Sequence, residues 1–273
     1  MIPAKFDYVE AASADAAVAA LTEHGDEAKL LAGGHSLVPL MKFRLATPTV
    51  VVDIGRLGDL SYINDAGGHV AIGALTRHSD VESSDLLRSQ VPMLSHVASL
   101  VGDPSVRHKG TLGGSLAHGD PASDLPAAAL ALKATMVAIG PGGQREIAAT
   151  DFFTGFLETA LAPDEMITEV RFPKVPDAGW SYQKFNRRAQ DWAIVGAAVV
   201  LGPTPGVSLV NMAPRPIASS AVESAIAGGA AAADAASVAV EGTDAPSDLN
   251  GDADYRNHLA RVLVERAITE AQG

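Results

Sequence analysis

The sequence predicts an α+β fold assembled from more than one compact unit. Three observations predict it. Runs rich in β-branched residues, such as Thr49 to Ile54, read as strands. Alanine- and leucine-rich stretches with helical apolar spacing alternate with them. Glycine and proline pairs, among them Gly33-Gly34, Gly67-Gly68 and Pro141-Gly142-Gly143, punctuate the two kinds of segment. At 273 residues the chain is long enough for two or three separate cores.

In chain order, Phe6 to Val9 reads as a short strand, and Ser13 as the N-cap of a helix from Ala14 to His24 that ends at Gly25. Lys29 to Ala32 is a brief apolar strand entering Gly33-Gly34, Leu37 to Phe43 a helical turn, and Thr49 to Ile54 a strand. After Gly67-Gly68 comes the strand His69 to Gly73, then Thr76 to Val101 as two helices divided at Pro92. Asp124 to Leu132 reads as a helix with Pro126 in its first turn, followed by strands at Thr135 to Ile139 and Ile167 to Phe172. Lys174 to Gly179 has the composition of a linker. Beyond it, Trp180 to Arg187 and Ala193 to Leu201 pair as strands, Val207 to Met212 is a third, and Ser219 to Ala227 and Tyr255 to Glu270 are helices. Gly229 to Gly251, biased toward alanine, glycine and aspartate, reads as poorly packed surface.

Composition narrows the function. The formal charge of −12 opposes non-specific attraction to nucleic acid or anionic lipid and favours protein or small-molecule partners. With no cysteine, the chain forms no disulfide, thiolate nucleophile or cysteine-ligated metal centre of its own. The first residues lack the basic and apolar regions of a secretory leader, and a cytoplasmic location is expected. His35 and His118 have no third ligand at useful spacing, so no metal site is expected.

Two segments carry chemistry: Ala32-Gly33-Gly34-His35-Ser36, with Leu37 after it, and Thr111-Leu112-Gly113-Gly114-Ser115. A dinucleotide diphosphate can be held by backbone only where several amides converge without side chains in the way, and glycine permits that approach. Hydrogen bonds to charged groups contribute roughly 1.5–3 kcal/mol each, so four or five such amides could hold a dinucleotide without a lysine. Each Gly-Gly by itself reads more readily as a plain turn; the pair with its flanks favours the dinucleotide. Neither segment is the GxGxxG nicotinamide fingerprint, and no GxxxxGK[ST] loop is present.

Extended by their flanks, Ala32 to Ala46 (AGGHSLVPLMKFRLA) and Asp103 to Ser115 (DPSVRHKGTLGGS) resemble the two FAD signatures of the medium subunit of molybdenum hydroxylases, in particular of the aerobic carbon monoxide dehydrogenase type. His118 to Pro126, Tyr182 to Phe185, Asp191 to Val195 and Tyr255 to Arg261 resemble further segments of that family, so the resemblance covers nearly the whole chain. It departs at Ser115, where the family usually has asparagine, and in a short stretch between Leu201 and Met212 that puts a hairpin loop in doubt. The resemblance implies a two-part FAD-binding fold of the vanillyl-alcohol-oxidase (PCMH) type. Its parts would be an N-terminal α/β part over residues 1–57, a mixed-sheet part over 58–176, and a C-terminal domain over 177–273 with a three-stranded sheet and helices.

It also implies FAD on this chain, molybdopterin on a large partner, [2Fe–2S] clusters on a small partner, a dimer of such heterotrimers, and a quinone or other respiratory acceptor. The complex could lie at the inner face of the membrane through its partners. By position, Ala32, Gly33, Gly34, His35, Ser36 and Leu37 together with Thr111, Gly113, Gly114 and Ser115 would contact the diphosphate. Asp124 would bind near the adenosine ribose, Val101 and Ile167 would pack along the cofactor, Lys184 would lie near the isoalloxazine, and Tyr182 would approach the flavin ring. From spacing alone Asp124 is a helix cap, Ile167 core, Lys184 a solvated charge and Tyr182 a locally packed strand residue. No acid, base or nucleophile is expected of this chain. The rival readings are the medium subunit of a xanthine- or heterocycle-type hydroxylase, a self-sufficient oxidase with flavin attached to His35, and an assembly module without flavin.

Overall fold

The computed structural model describes residues 2–273; residue 1, with which the first implied unit begins, lies outside the described residues. Near the N-terminus, strands β1 (Asp7–Glu10), β2 (Ala28–Leu31) and β3 (Val50–Asp53) form a parallel sheet in the order β1-β3-β2. Helix α1 (Ala14–His24) covers it. Ser13 Oγ accepts from the Ala16 amide and Gly25 ends the helix at φ +55, as its sequence position predicts. The short helix α2 (Leu37–Lys42) follows β2.

The central sheet contains β4 (Ile63–Asp65), β5 (His69–Gly73), β6 (Thr135–Gly140), β7 (Gly143–Ala148) and, after the small hairpin β8 (Phe153–Gly155) and β9 (Glu158–Thr159), β10 (Met166–Pro173). Its order is β4-β5-β10-β6-β7. Every pairing in it is antiparallel, which corrects the expected mixed sheet. The cause is local: glycine turns fold β4 onto β5 and β6 onto β7, and β10 returns between β5 and β6. β4 and β7 escape a sequence reading because their polar, exposed side chains give no apolar alternation.

Thr76 to Val101 holds three helices instead of two: α3 (His78–Ser83), α4 (Asp85–Gln90) and α5 (Pro92–Ser99). The extra break is at Ser84, whose backbone is extended and whose hydroxyl caps the Leu87 amide at 3.3 Å. Next come α6 (Pro104–Arg107), α7 (Leu112–His118), α8 (Asp124–Ala131) and the single turn α9 (Ala149–Phe152). All eight residues of α8 are buried, between helices α5 and α7 on one side and the C-terminal sheet on the other.

The C-terminal sheet is antiparallel, with β11 (Trp180–Phe185), β12 (Val195–Val200) and β13 (Gly206–Val210) as its three long strands. The two-residue strand β14 (Ile217–Ala218) adds an edge. The stretch after Leu201 is simply a tight connection, with Val200 paired to Gly206. Helices α10 (Ser220–Ala227), α11 (Ala232–Ser237) and α12 (Ala253–Gln272) complete this unit. Part of the alanine-rich stretch is core and not loose surface: Ala235 and Ala236 of α11, and Ala239 just after it, are buried in the core that includes α12 and the sheet. Arg256, fully buried, pairs with Asp248 at 2.7 Å and donates to the Ile194 carbonyl, tying α12 to the start of β12.

Candidate functional site

β2 runs out into Gly33-Gly34, and β5 leads toward the segment that ends in α7; the two glycine segments, far apart in sequence, meet. A Cβ placed on Gly33 would stand 2.1 Å from the Lys109 carbonyl oxygen and 3.0 Å from Gly110 Cα, so only glycine allows the loops to touch. Gly34 has φ +76, a left-handed backbone that lets the chain swing into α2. Between the loops lies a cavity of about 700 Å³, large enough for a dinucleotide.

The loops do not contribute alike. Among the described residues, no protein acceptor engages the amides of Gly33, Gly34, His35 or Ser36, which leaves consecutive donors at the cavity wall. In the second segment the donors are occupied. Leu112 N–H bonds the Thr76 carbonyl, Gly113 the Ala74 carbonyl, Gly114 the Thr111 hydroxyl and Ser115 the Thr111 carbonyl. The expectation of two equivalent amide-lined loops is therefore corrected: α7 uses its first amides in its own capping and in anchoring to the Ala74–Thr76 turn. What that segment offers is an absence of side chains at Gly113 and Gly114 and the Ser115 hydroxyl, which lies 3.1 Å from Ser123 Oγ. Donors free on one wall and a bare surface on the other fit a diphosphate.

Every site residue expected from sequence lines this cavity except Tyr182. Asp124 does not cap α8; its carboxylate takes the Tyr182 hydroxyl at 2.5 Å on Oδ1 and Lys184 Nζ at 2.9 Å on Oδ2. Lys184 also donates to the Leu100 carbonyl at 3.0 Å. Side-chain exposures of 8% for Lys184 and 7% for Asp124 make this a buried pair, not the solvated charge that spacing suggested. Tyr182 and Lys184 sit two apart on β11 and so share a face, which is how one strand delivers both groups to one carboxylate. Burial pushes the Asp124 carboxyl up, and the Lys184 ammonium and Tyr182 hydroxyl oppose that shift. Burial next to Asp124 holds the Tyr182 phenol protonated, well above its usual range.

His78 was missed by sequence reading, since a single histidine before a helix carries no signal. It lines the cavity floor at 4% exposure. Burial, then the basic neighbours His35, Arg77 and Arg107, push its pKa down to about 4. The unfolded chain therefore binds the proton more readily, and the stability His78 contributes is complete above its ordinary pKa near 6.5 and drains away as pH falls toward 4. The full loss is about 3 kcal/mol. The unfolding free energy from urea titration should fall by most of that amount, about 2.5 kcal/mol, between pH 7.5 and pH 4.5, and H78Q should flatten the slope.

The comparisons agree with this geometry. Residues 4–175 match the family of the FAD binding domain in molybdopterin dehydrogenase, and residues 180–271 match the CO dehydrogenase flavoprotein C-terminal domain. The chain is 41% identical to the carbon monoxide dehydrogenase medium chain of Hydrogenophaga pseudoflava, over 99% of this chain and 98% of that one. It is 36% identical to the 6-hydroxypseudooxynicotine dehydrogenase complex subunit alpha of Paenarthrobacter nicotinovorans, over 99% and 96%. It superposes on a chain of the H. pseudoflava carbon monoxide dehydrogenase structure with a TM-score of 0.96, covering 100% of this chain and 99% of that one. The match of both family domains end to end, in a chain with a cavity of dinucleotide size, places the protein among the FAD-binding subunits of the molybdenum hydroxylase family, oxidoreductases of the carbon monoxide dehydrogenase type.

Proposed function

We propose that the chain is the FAD-carrying medium subunit of an aerobic carbon monoxide dehydrogenase. It would work in a cytoplasmic complex with a large molybdopterin subunit and a small [2Fe–2S] subunit, arranged as a dimer of heterotrimers. The observation that carries the reading is the end-to-end match to carbon monoxide dehydrogenase medium chains, joined to the free amides of Gly33 to Ser36. Among the described residues no helix is long and apolar enough to cross a membrane, so an approach to a membrane-bound acceptor would run through the partners.

Bound FAD would supply the electron relay between iron–sulfur clusters and a quinone or other respiratory acceptor. The residues of this chain hold and tune it. The first loop would donate hydrogen bonds to the diphosphate, the second would give a surface bare enough for close approach, and Lys184, paired with Asp124, would lie on the cavity wall beside the cofactor. Ile167 and Val101, apolar side chains of the lining, would exclude water along the cofactor.

The native complex, purified through a tag on this chain, should contain one larger and one smaller partner, molybdenum, iron and one FAD per copy of this chain, and should reduce a quinone analogue with carbon monoxide. Flavin and metals present with oxidation of a purine or N-heterocycle in place of carbon monoxide would move the reading to the hydroxylase relatives. Yellow colour retained on the acid-precipitated chain would instead indicate a covalent link at His35, and its release to the supernatant supports the relay.

A further inference from the structure

His78 stands outside both glycine segments, yet it is wedged against them. Its amide donates to the Gly110 carbonyl at 3.1 Å, and its Nε2 would lie 2.7 Å from a Cβ on Gly110, the residue that leads into Thr111. Gly110 and Lys109 in turn press on Gly33. The ring is therefore the third layer of the stack that brings the two loops together.

The two ring nitrogens differ. Nδ1 is sealed and has no partner among the described residues. Nε2 makes no hydrogen bond to the protein either, and unlike Nδ1 it is not sealed from the cavity that the residue lines. A neutral imidazole carries one N–H and one lone pair, and a buried lone pair without a partner costs less than a buried N–H without one, so the proton belongs on Nε2. No carboxylate touches the ring. The basic groups around it are Arg77 before its own helix, Arg107 on α6, which is itself paired with Glu82 at 2.7 Å, and His35 on the first loop.

We infer that His78 is a further diphosphate ligand of this cavity, donating from Nε2–H to an anionic oxygen of the FAD diphosphate. The inference rests on the FAD reading of the site and adds a residue that neither glycine signature contains. The neutral ring keeps the donor without adding a charge that burial would expel.

The test is cofactor binding to the deflavinated complex, measured by fluorescence titration with FAD and with riboflavin, which lacks the diphosphate. Asparagine is too short to place a donor where Nε2 stands, whereas the glutamine amide reaches it. H78N should weaken FAD binding at least about tenfold and leave riboflavin binding unchanged, and H78Q should recover most of the loss. Equal weakening of both ligands in H78N would reduce His78 to packing and overturn the inference, as would H78N that binds FAD like the parent. If H78N does not assemble, H78Q alone decides, since a structural role would lower both affinities. A parent complex that takes up riboflavin and FAD equally well overturns the diphosphate reading of the cavity itself.

Discussion

Gly33→Ala should abolish FAD retention in a complex that still assembles. The added methyl would fall 2.1 Å from the Lys109 carbonyl oxygen, which is backbone and cannot rotate away. Either the first loop lifts or the Arg107 to Gly110 segment retreats, and each movement separates the free amides from the bare wall opposite them. Overpacking of this kind costs about 1–3 kcal/mol in ordinary cores, and here the strain falls on the geometry that binds. The amides at stake are worth roughly 1.5–3 kcal/mol each toward an anion, so losing alignment of two lowers affinity by several orders of magnitude. Flavin released by acid from the purified variant should approach zero per chain. Gly34→Ala should be milder, because its cost is a left-handed backbone of roughly 1–2 kcal/mol and not a collision with main chain. A Gly33→Ala complex with full flavin content would show that the loops need not touch.

Lys184→Met should be the most destabilising single change outside the glycine loops. It leaves the Asp124 carboxylate buried with only the Tyr182 hydroxyl, and removal of one partner from a buried ion pair costs about 3–5 kcal/mol. The cost should show as a lowered urea midpoint at neutral pH. Without its counter-charge Asp124 titrates still higher, so the folded form takes up a proton more readily than the unfolded one and the deficit should shrink on acidification. Adding Asp124→Asn to Lys184→Met should recover part of the stability, which a double-mutant cycle would read directly. Equal midpoints for parent and Lys184→Met would mean that the pair contributes nothing. FAD content should fall in both variants, since both side chains line the cavity.

Much of the fold was legible where one signal dominated. Ser13 and Gly25 bracket α1 as their residue types dictate, and the β-branched run from Val50 gives β3. Polar edge strands such as β7 were not legible, because sheet pairing and not apolar alternation holds them. The loops themselves could be recognised, but their division of labour could not. Whether an amide is free depends on what packs beside it, and Ala74 and Thr76, which occupy Leu112 and Gly113, give no hint of that in sequence. Lys184 is instructive for the same reason. A lysine on a strand reads as solvated until Asp124, from another unit, is placed beside it.

The carboxylate at position 124 is satisfied by two side chains from a strand of the C-terminal sheet, Tyr182, buried in the core that α8 shares, and Lys184, on the cavity wall. The two halves of the chain therefore cannot be exchanged between relatives as independent modules. A chimera that joined the first 175 residues of this protein to a foreign C-terminal half would have to inherit matching groups at 182 and 184, or carry an orphaned charge into its own seam.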